Sequence, residues 1–169
     1  MDAITLLKQD HDRVKDMLRQ LEQMPAGQPE QRRALAEKII AELMVHERIE
    51  EEIFYPAVEQ AGKTGEEEVE HSIEEHELVD NIIAQLEEVD LASSDFEATV
   101  RVLKENVFHH IKDEEEKMFP YAQKKLAGKL DKLGTQMSAH KAQLEREMTR
   151  EGLMGEAQQR ANERSQQRR

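Results

Sequence analysis

Two short stretches of the chain carry residue types that can hold a metal ion. The first reads His46-Glu47-Arg48-Ile49-Glu50-Glu51-Glu52-Ile53-Phe54-Tyr55-Pro56, and 64 residues later a second reads His110-Ile111-Lys112-Asp113-Glu114-Glu115-Glu116-Lys117-Met118-Phe119-Pro120. Each is a His, three residues, three successive Glu, a short apolar or aromatic stretch and a Pro. On a helix, residues i and i+4 lie one above the other on the same face. His46 with Glu50, and His110 with Glu114, can therefore each grip one ion.

The duplication extends upstream. Asp10-His11-Asp12-Arg13-Val14 resembles Glu75-His76-Glu77-Leu78-Val79 at an offset of 65 residues. A repeat of this kind fixes the organisation of a chain before any single element does. Here it predicts a duplicated helical hairpin, with an acidic-His pair near the start of each first helix and His-x3-Glu on each second helix.

The elements that must position these residues follow from apolar steps of three and four. A first helix is expected from Asp2 or Thr5 to about Gln23, with the stripe Ile4, Leu7, His11, Val14, Leu18 and Leu21. A second runs from about Glu30 to Gln60, through Leu35, Ile39, Leu43, His46, Glu50, Ile53 and Ala57, with a kink at Pro56 that frees the Glu52 carbonyl. A third covers about Glu66 to Val89, with Val69, Ile73, His76, Val79, Ile83 and Leu86 inward. Ser94 or Asp95 is expected to cap a fourth, whose stripe is Val100, Leu103, Val107, His110, Glu114, Met118 and Tyr121. Short loops between four such helices predict an all-α, up-down-up-down four-helix bundle. A further helix over Gln123–Met148 is expected, weakened by Gly128 and Gly134, giving one domain over residues 1–150. Residues 151–169 read as a polar, disordered tail.

Composition narrows the chemistry. The 169 residues have a net charge of −13, are 36% charged and 37% hydrophobic, and contain no Cys. Such an acidic chain argues against nucleic acid or an anionic membrane as partner, both of which need basic patches. Without thiolates, any metal must be held by nitrogen and oxygen. No basic leader and no apolar run of roughly 18 residues is present, so cytoplasmic residence is the expectation.

Four His and two Glu on inner faces would leave many polar groups in the core with too few protein partners. A metal cluster satisfies imidazoles and carboxylates together. The six donors are too many for one tetrahedral zinc and too nitrogen-rich for magnesium or calcium. A dinuclear centre with both Glu bridging uses them all. Iron is the first expectation, with zinc and manganese open because affinity alone does not select iron. Glu51 and Glu115 are candidate outer partners that orient a ligand His. His71 is a candidate seventh ligand, and Glu47 a weaker one that reads as solvated. Asp10 reads as pointing elsewhere, His109 as exposed, Tyr55 and Tyr121 as bundle packing, and His140 is given no role.

Asp10-His11, His46-x3-Glu50-Glu51 with Phe54-Tyr55-Pro56, Glu75-His76, and His110-x3-Glu114-Glu115 with Phe119-Pro120 resemble the hemerythrin-like, HHE cation-binding domain family over residues 1–150. The resemblance implies two iron ions in an oxo- or hydroxo-bridged non-haem centre. Glu50 and Glu114 would bridge them, with His11, His46, His76 and His110 as terminal ligands. Oxygen-carrying members place a further His where this chain has Ser72; His71, one residue back, reaches the site only through a bulge or rotation.

The function expected is binding of dioxygen or a related small ligand, in oxygen or redox sensing or iron handling. One alternative is an enzyme that processes peroxide or NO. The other is an acidic helical interaction module with structural core His. A homo-oligomer stays open.

Overall fold

A computed structural model describes residues 1–151. The tail expected beyond them lies outside the described residues. Helix α1 spans Ala3–Gln23 and starts on Asp2, whose Oδ1 accepts the Thr5 N–H at 3.0 Å. Such a cap satisfies one of the orphan donors of the first turn and contributes about 1 kcal/mol.

The second rod is one helix in three parts: α2 (Pro29–Ile49), a π-helical turn (Glu50–Phe54) and α3 (Tyr55–Glu59). The kink expected at Pro56 is absorbed by this turn. Proline lacks an N–H and its ring crowds the carbonyl four residues back. The chain answers by widening the ladder, so the Tyr55 N–H donates to the Glu50 carbonyl. The second half repeats the device ahead of Pro120. There α5 (Ser94–Asp113) runs into a π-turn (Glu114–Met118) and α6 (Phe119–Leu126), and the Phe119 N–H donates to the Glu114 carbonyl. In both halves the π-turn begins on the inward Glu of the His-x3-Glu pair.

Between these rods lies α4 (Lys63–Glu88). It begins three residues earlier than expected, directly after Gly62, whose φ of 131° suits only glycine. Gly65 lies inside it, where a side chain would strike the Val58 carbonyl of α3. The cap of α5 is Ser93, one residue before the expected position; its Oγ accepts the Phe96 N–H at 3.1 Å.

The single C-terminal helix expected over Gln123–Met148 is instead split into α6 and α7 (Leu130–Glu151) around Gly128. Gly134 is a contact rather than a weakness, because the backbone of Met1–Ala3 packs where its Cβ would be. At the loop end of the hairpins, buried Arg32 donates to the Met24 carbonyl, the Leu91 carbonyl at 2.7 Å and Glu97 Oε1 at 2.9 Å. One guanidinium thus ties the two hairpin loops together.

The chain is all-α among the described residues, and none of their helices is long and apolar enough to cross a membrane. Two apolar clusters fill the bundle. One is built on Val14, Leu18, Ile39, Leu43, Val79, Ile83, Val100, Leu103 and Val107. The other holds Ile4, Leu7, Ile49, Phe54, Val58, Val69, Phe119, Ala122 and Met137. The four His and two Glu of the repeated pattern (His11, His46, Glu50, His76, His110 and Glu114) are buried between these clusters, with at least one on every rod of the bundle. They form a polar layer between two apolar ones.

Candidate metal centre

His11, His46, Glu50, His76, His110 and Glu114 are each 5% exposed or less, so water cannot solvate them. Each imidazole turns its Nε2 inward. His46 Nε2 lies 3.3 Å from Glu50 Oε1, and His76 Nε2 lies 3.4 Å from Glu50 Oε2. Glu50 therefore offers one oxygen to each half of the bundle. Glu114 Oε2 faces His11 Nε2 at 3.2 Å and His110 Nε2 at 3.7 Å. Two overlapping donor groups result: His11, His46, Glu50 and Glu114 in one, and Glu50, His76 and His110 in the other.

The outward nitrogens are also provided for. His11 Nδ1 meets Glu115 at 2.9 Å, His76 Nδ1 meets Glu51 at 2.8 Å, and His110 Nδ1 meets Glu75 at 3.0 Å. A carboxylate on Nδ1 fixes the tautomer that leaves the Nε2 lone pair free, and it raises ligand basicity. Glu51 and Glu115 thus stand where the sequence placed them, while Glu75 joins them unforeseen. His46 has the loosest partner, Asp10 at 3.7 Å. Asp10 does not point away as expected; it is buried, and Arg13 and Lys141 share it.

Tyr55 is not ordinary packing. Its hydroxyl donates to Glu114 Oε1 at 2.9 Å and lies 3.2 Å from His76 Nε2 and 3.3 Å from Glu50 Oε2. The π-turn is the cause, since its i→i+5 ladder stacks Tyr55 over Glu50. A Pro one residue beyond an aromatic, five after an inward Glu, was the available signal.

Several buried atoms make no hydrogen bond among the described residues: inward-facing His11 Nε2, His46 Nε2, Glu50 Oε1 and Glu114 Oε2, and His46 Nδ1 on the Asp10 side. Folded cores carry few such atoms, and a cluster of them on one point asks for a partner the protein chain does not supply. The electrostatics agree. Burial and the neighbouring Glu114 carboxylate push the Glu50 pKa well above the usual range. Glu114 is equally buried, but His110, His11 and His46 hold it well below that range. Burial brings His46 down to about 4 despite the pull of Asp10, so at neutral pH it offers lone pairs instead of charge. The opposite shifts of Glu50 and Glu114 favour a shared proton between the two carboxylates, and a cation bound at the same place would compete with it. The donor set thus fits metal ions bound by imidazole and carboxylate.

Other candidates fall elsewhere. His71 is 48% exposed on its side chain and stands beside Glu75 and Asp113, both at 3.4 Å, and the structure does not bring it to the buried group. Glu47, which reads as solvated in the sequence, is buried at 2% and lies near Glu51 and His76. His109 is exposed and paired with Glu75. His140 reaches across from α7 to Glu52 at 2.6 Å. Tyr121 contacts the Gly62 carbonyl, a turn away from the centre. Beside the four His lies a cavity of about 10 Å³ with apolar walls from Val14, Leu43, Val79, Val107 and Ile111. That volume suits one water-sized molecule.

The comparisons with known proteins bear on this arrangement. An uncharacterised protein of Mycobacterium tuberculosis is 29% identical over 146 residues, covering 85% of this chain and 88% of its own length. One from Mycobacterium bovis matches equally. The crystal structure of a hemerythrin HHE cation-binding domain-containing protein from Mycobacterium kansasii superposes with a TM-score of 0.82 at 23% identity, over 93% of this chain and 97% of that one. It shares the fold. The pattern of the hemerythrin HHE cation-binding domain matches residues 2–122. The chain belongs to the hemerythrin HHE cation-binding domain family.

Proposed function

We propose that this chain is a non-haem di-iron protein that binds dioxygen or a related small ligand, in oxygen or redox sensing or in iron handling. The observation that carries the reading is Glu50, whose two oxygens face one imidazole from each half of the bundle. His11, His46, Glu50 and Glu114 would hold one ion, and Glu50, His76 and His110 the other. Iron in such a pair supplies two adjacent redox-active Lewis acids.

The residues of the chain set the conditions. Glu51, Glu75 and Glu115 orient three of the imidazoles. The small cavity beside the four His, walled by Val14, Leu43, Val79, Val107 and Ile111, is where a small ligand would lie once the side chains give way. The test is metal content and the visible spectrum of protein purified in air, repeated after reduction and reoxygenation. About two irons per chain with bands that reverse supports the reading. A stable folded protein that takes up no metal rejects it.

One observation favours a second reading, turnover of peroxide or NO. The buried Tyr55 hydroxyl holds a proton at Glu114 Oε1, where a group able to donate it would serve such a reaction. Bands that form once and never reverse, together with turnover of either substrate by loaded protein, would select it.

A further inference from the structure

On the outer side of α4 and α5, His and carboxylate occur again at helical spacing: His71 with Glu75, and His109 with Asp113. These two pairs meet across the helix interface. His71 Nε2 lies 3.4 Å from Glu75 Oε1 and 3.4 Å from Asp113 Oδ2, so it stands between two carboxylates from different helices. One ligand atom from each of the three lies within 4.8 Å of the others. His109 Nδ1 approaches the same Glu75 oxygen at 2.9 Å from the rim.

The two spacings from His71 suit a tetrahedral metal. With metal–ligand distances of about 2.0–2.2 Å, the edges of the tetrahedron are about 3.3–3.6 Å long. Both His71 contacts fall in that range. Three protein donors leave a fourth position for water or for His109, the pattern of zinc-like sites with an open coordination place. The side chains of Glu75 and Asp113 are 14% exposed, and that of His71 is 48% exposed, so an ion can enter from solvent.

We propose that His71, Glu75 and Asp113 form a second, surface site for a divalent cation of zinc-like ligand preference, with His109 as flanking donor. The site is separate from the buried centre but adjoins it, because the other oxygen of Glu75 meets His110 Nδ1 at 3.0 Å. An ion there sits one carboxylate away from an inner imidazole. Its competitor is Lys117, whose ammonium lies 2.6 Å from Asp113 Oδ2.

Cobalt(II) titration of the metal-free full chain, read by equilibrium dialysis and visible absorption, tests this. Wild type is expected to bind about three cobalt ions per chain where His71→Ala and Asp113→Asn bind about two. Lys117→Gln, which frees Asp113, is expected to bind the surface ion about threefold more tightly. A His46→Ala/Glu50→Ala variant should keep the surface equivalent, so failure of the buried centre is distinguishable from failure of this site. Equal binding by wild type and His71→Ala, or loss of all bound cobalt in a His46→Ala/Glu50→Ala variant that keeps its helical circular dichroism, overturns the proposal and leaves an ion-pair network only.

Discussion

Tyr55 and Phe119 occupy equivalent places in the two halves of the bundle, and only one of them carries a hydroxyl. The Tyr55 ring lies 5.6 Å from that of His76, and the Phe119 ring lies 5.6 Å from that of His11. Each pairs the second rod of one half with the first helix of the other. The two ends of the buried centre are thus matched in shape and unlike in chemistry. Burial and the Glu114 and Glu50 carboxylates raise the Tyr55 pKa well above its ordinary value, so the phenol keeps its proton.

Tyr55→Phe removes the proton and leaves the ring. The variant is expected to keep its helical content and its metal, with a stability change of about 1 kcal/mol. If the hydroxyl serves chemistry, peroxide or NO turnover by loaded protein falls by about 10²-fold. Stopped-flow kinetics on matched, metal-assayed samples check this, and an unchanged rate assigns Tyr55 a structural part.

His46→Ala and Glu50→Ala each remove a donor of the buried group, and metal content is expected to fall well below that of wild type. Elemental analysis of purified variants reads the result. In wild type, chelation should lower the melting temperature, since an ion bound only by the folded state at 100 times its Kd stabilises by about 2.7 kcal/mol. A melting temperature indifferent to metal would favour an acidic interaction module with structural core His.

The outer carboxylates should matter through the imidazoles they orient. Glu51→Gln and Glu115→Gln are expected to weaken metal binding by about 10–100-fold while leaving the fold intact. Asp10→Asn should cost less, because Asp10 stands 3.7 Å from His46 and is shared with Lys141. Competition with a chromophoric chelator ranks the three.

Metal-free protein should lose stability as pH falls from about 6.5 to about 4, in part through His46. Its folded pKa lies below the ordinary value, so across that window the unfolded chain binds the extra proton and unfolding gains. Below the folded value both states are protonated and the contribution is flat. The difference corresponds to about 3 kcal/mol. His11 has the opposite sign: Glu114 and Glu115 outweigh burial and raise its pKa, so its contribution is present at low pH and lost as pH rises through the folded value. Urea titrations of wild type and His46→Gln across the window isolate the His46 share; equal slopes would refute it.

The bundle and the buried meeting of four His and two Glu were legible because each falls on an apolar stripe of period 3.6. What escaped was whatever departs from that period. Tyr55 reads as packing on an α-helical wheel and becomes a centre residue only after the π-turn resets the phase. Asp10 and Glu47 sit beside stripe residues, and their burial depends on neighbours from other helices, Lys141 of α7 for Asp10. Gly134 looks like a weak point until the chain start is seen lying across it. His71 needed a bulge to move inward; the π-turns occur on the other rods, and α4 continues unbroken from Lys63 to Glu88.

The overlap of the donor groups through Glu50 has a topological consequence. One group joins His11, His46 and Glu50 of the first hairpin to Glu114 of the second, and the other joins Glu50 to His76 and His110. An ion in either group would therefore cross-link segments far apart along a chain that has no cysteine with which to do so. Closing such long loops removes entropy from the unfolded ensemble, as a disulfide does. Unlike a disulfide, this clasp opens by ligand exchange or protonation, without a reductant.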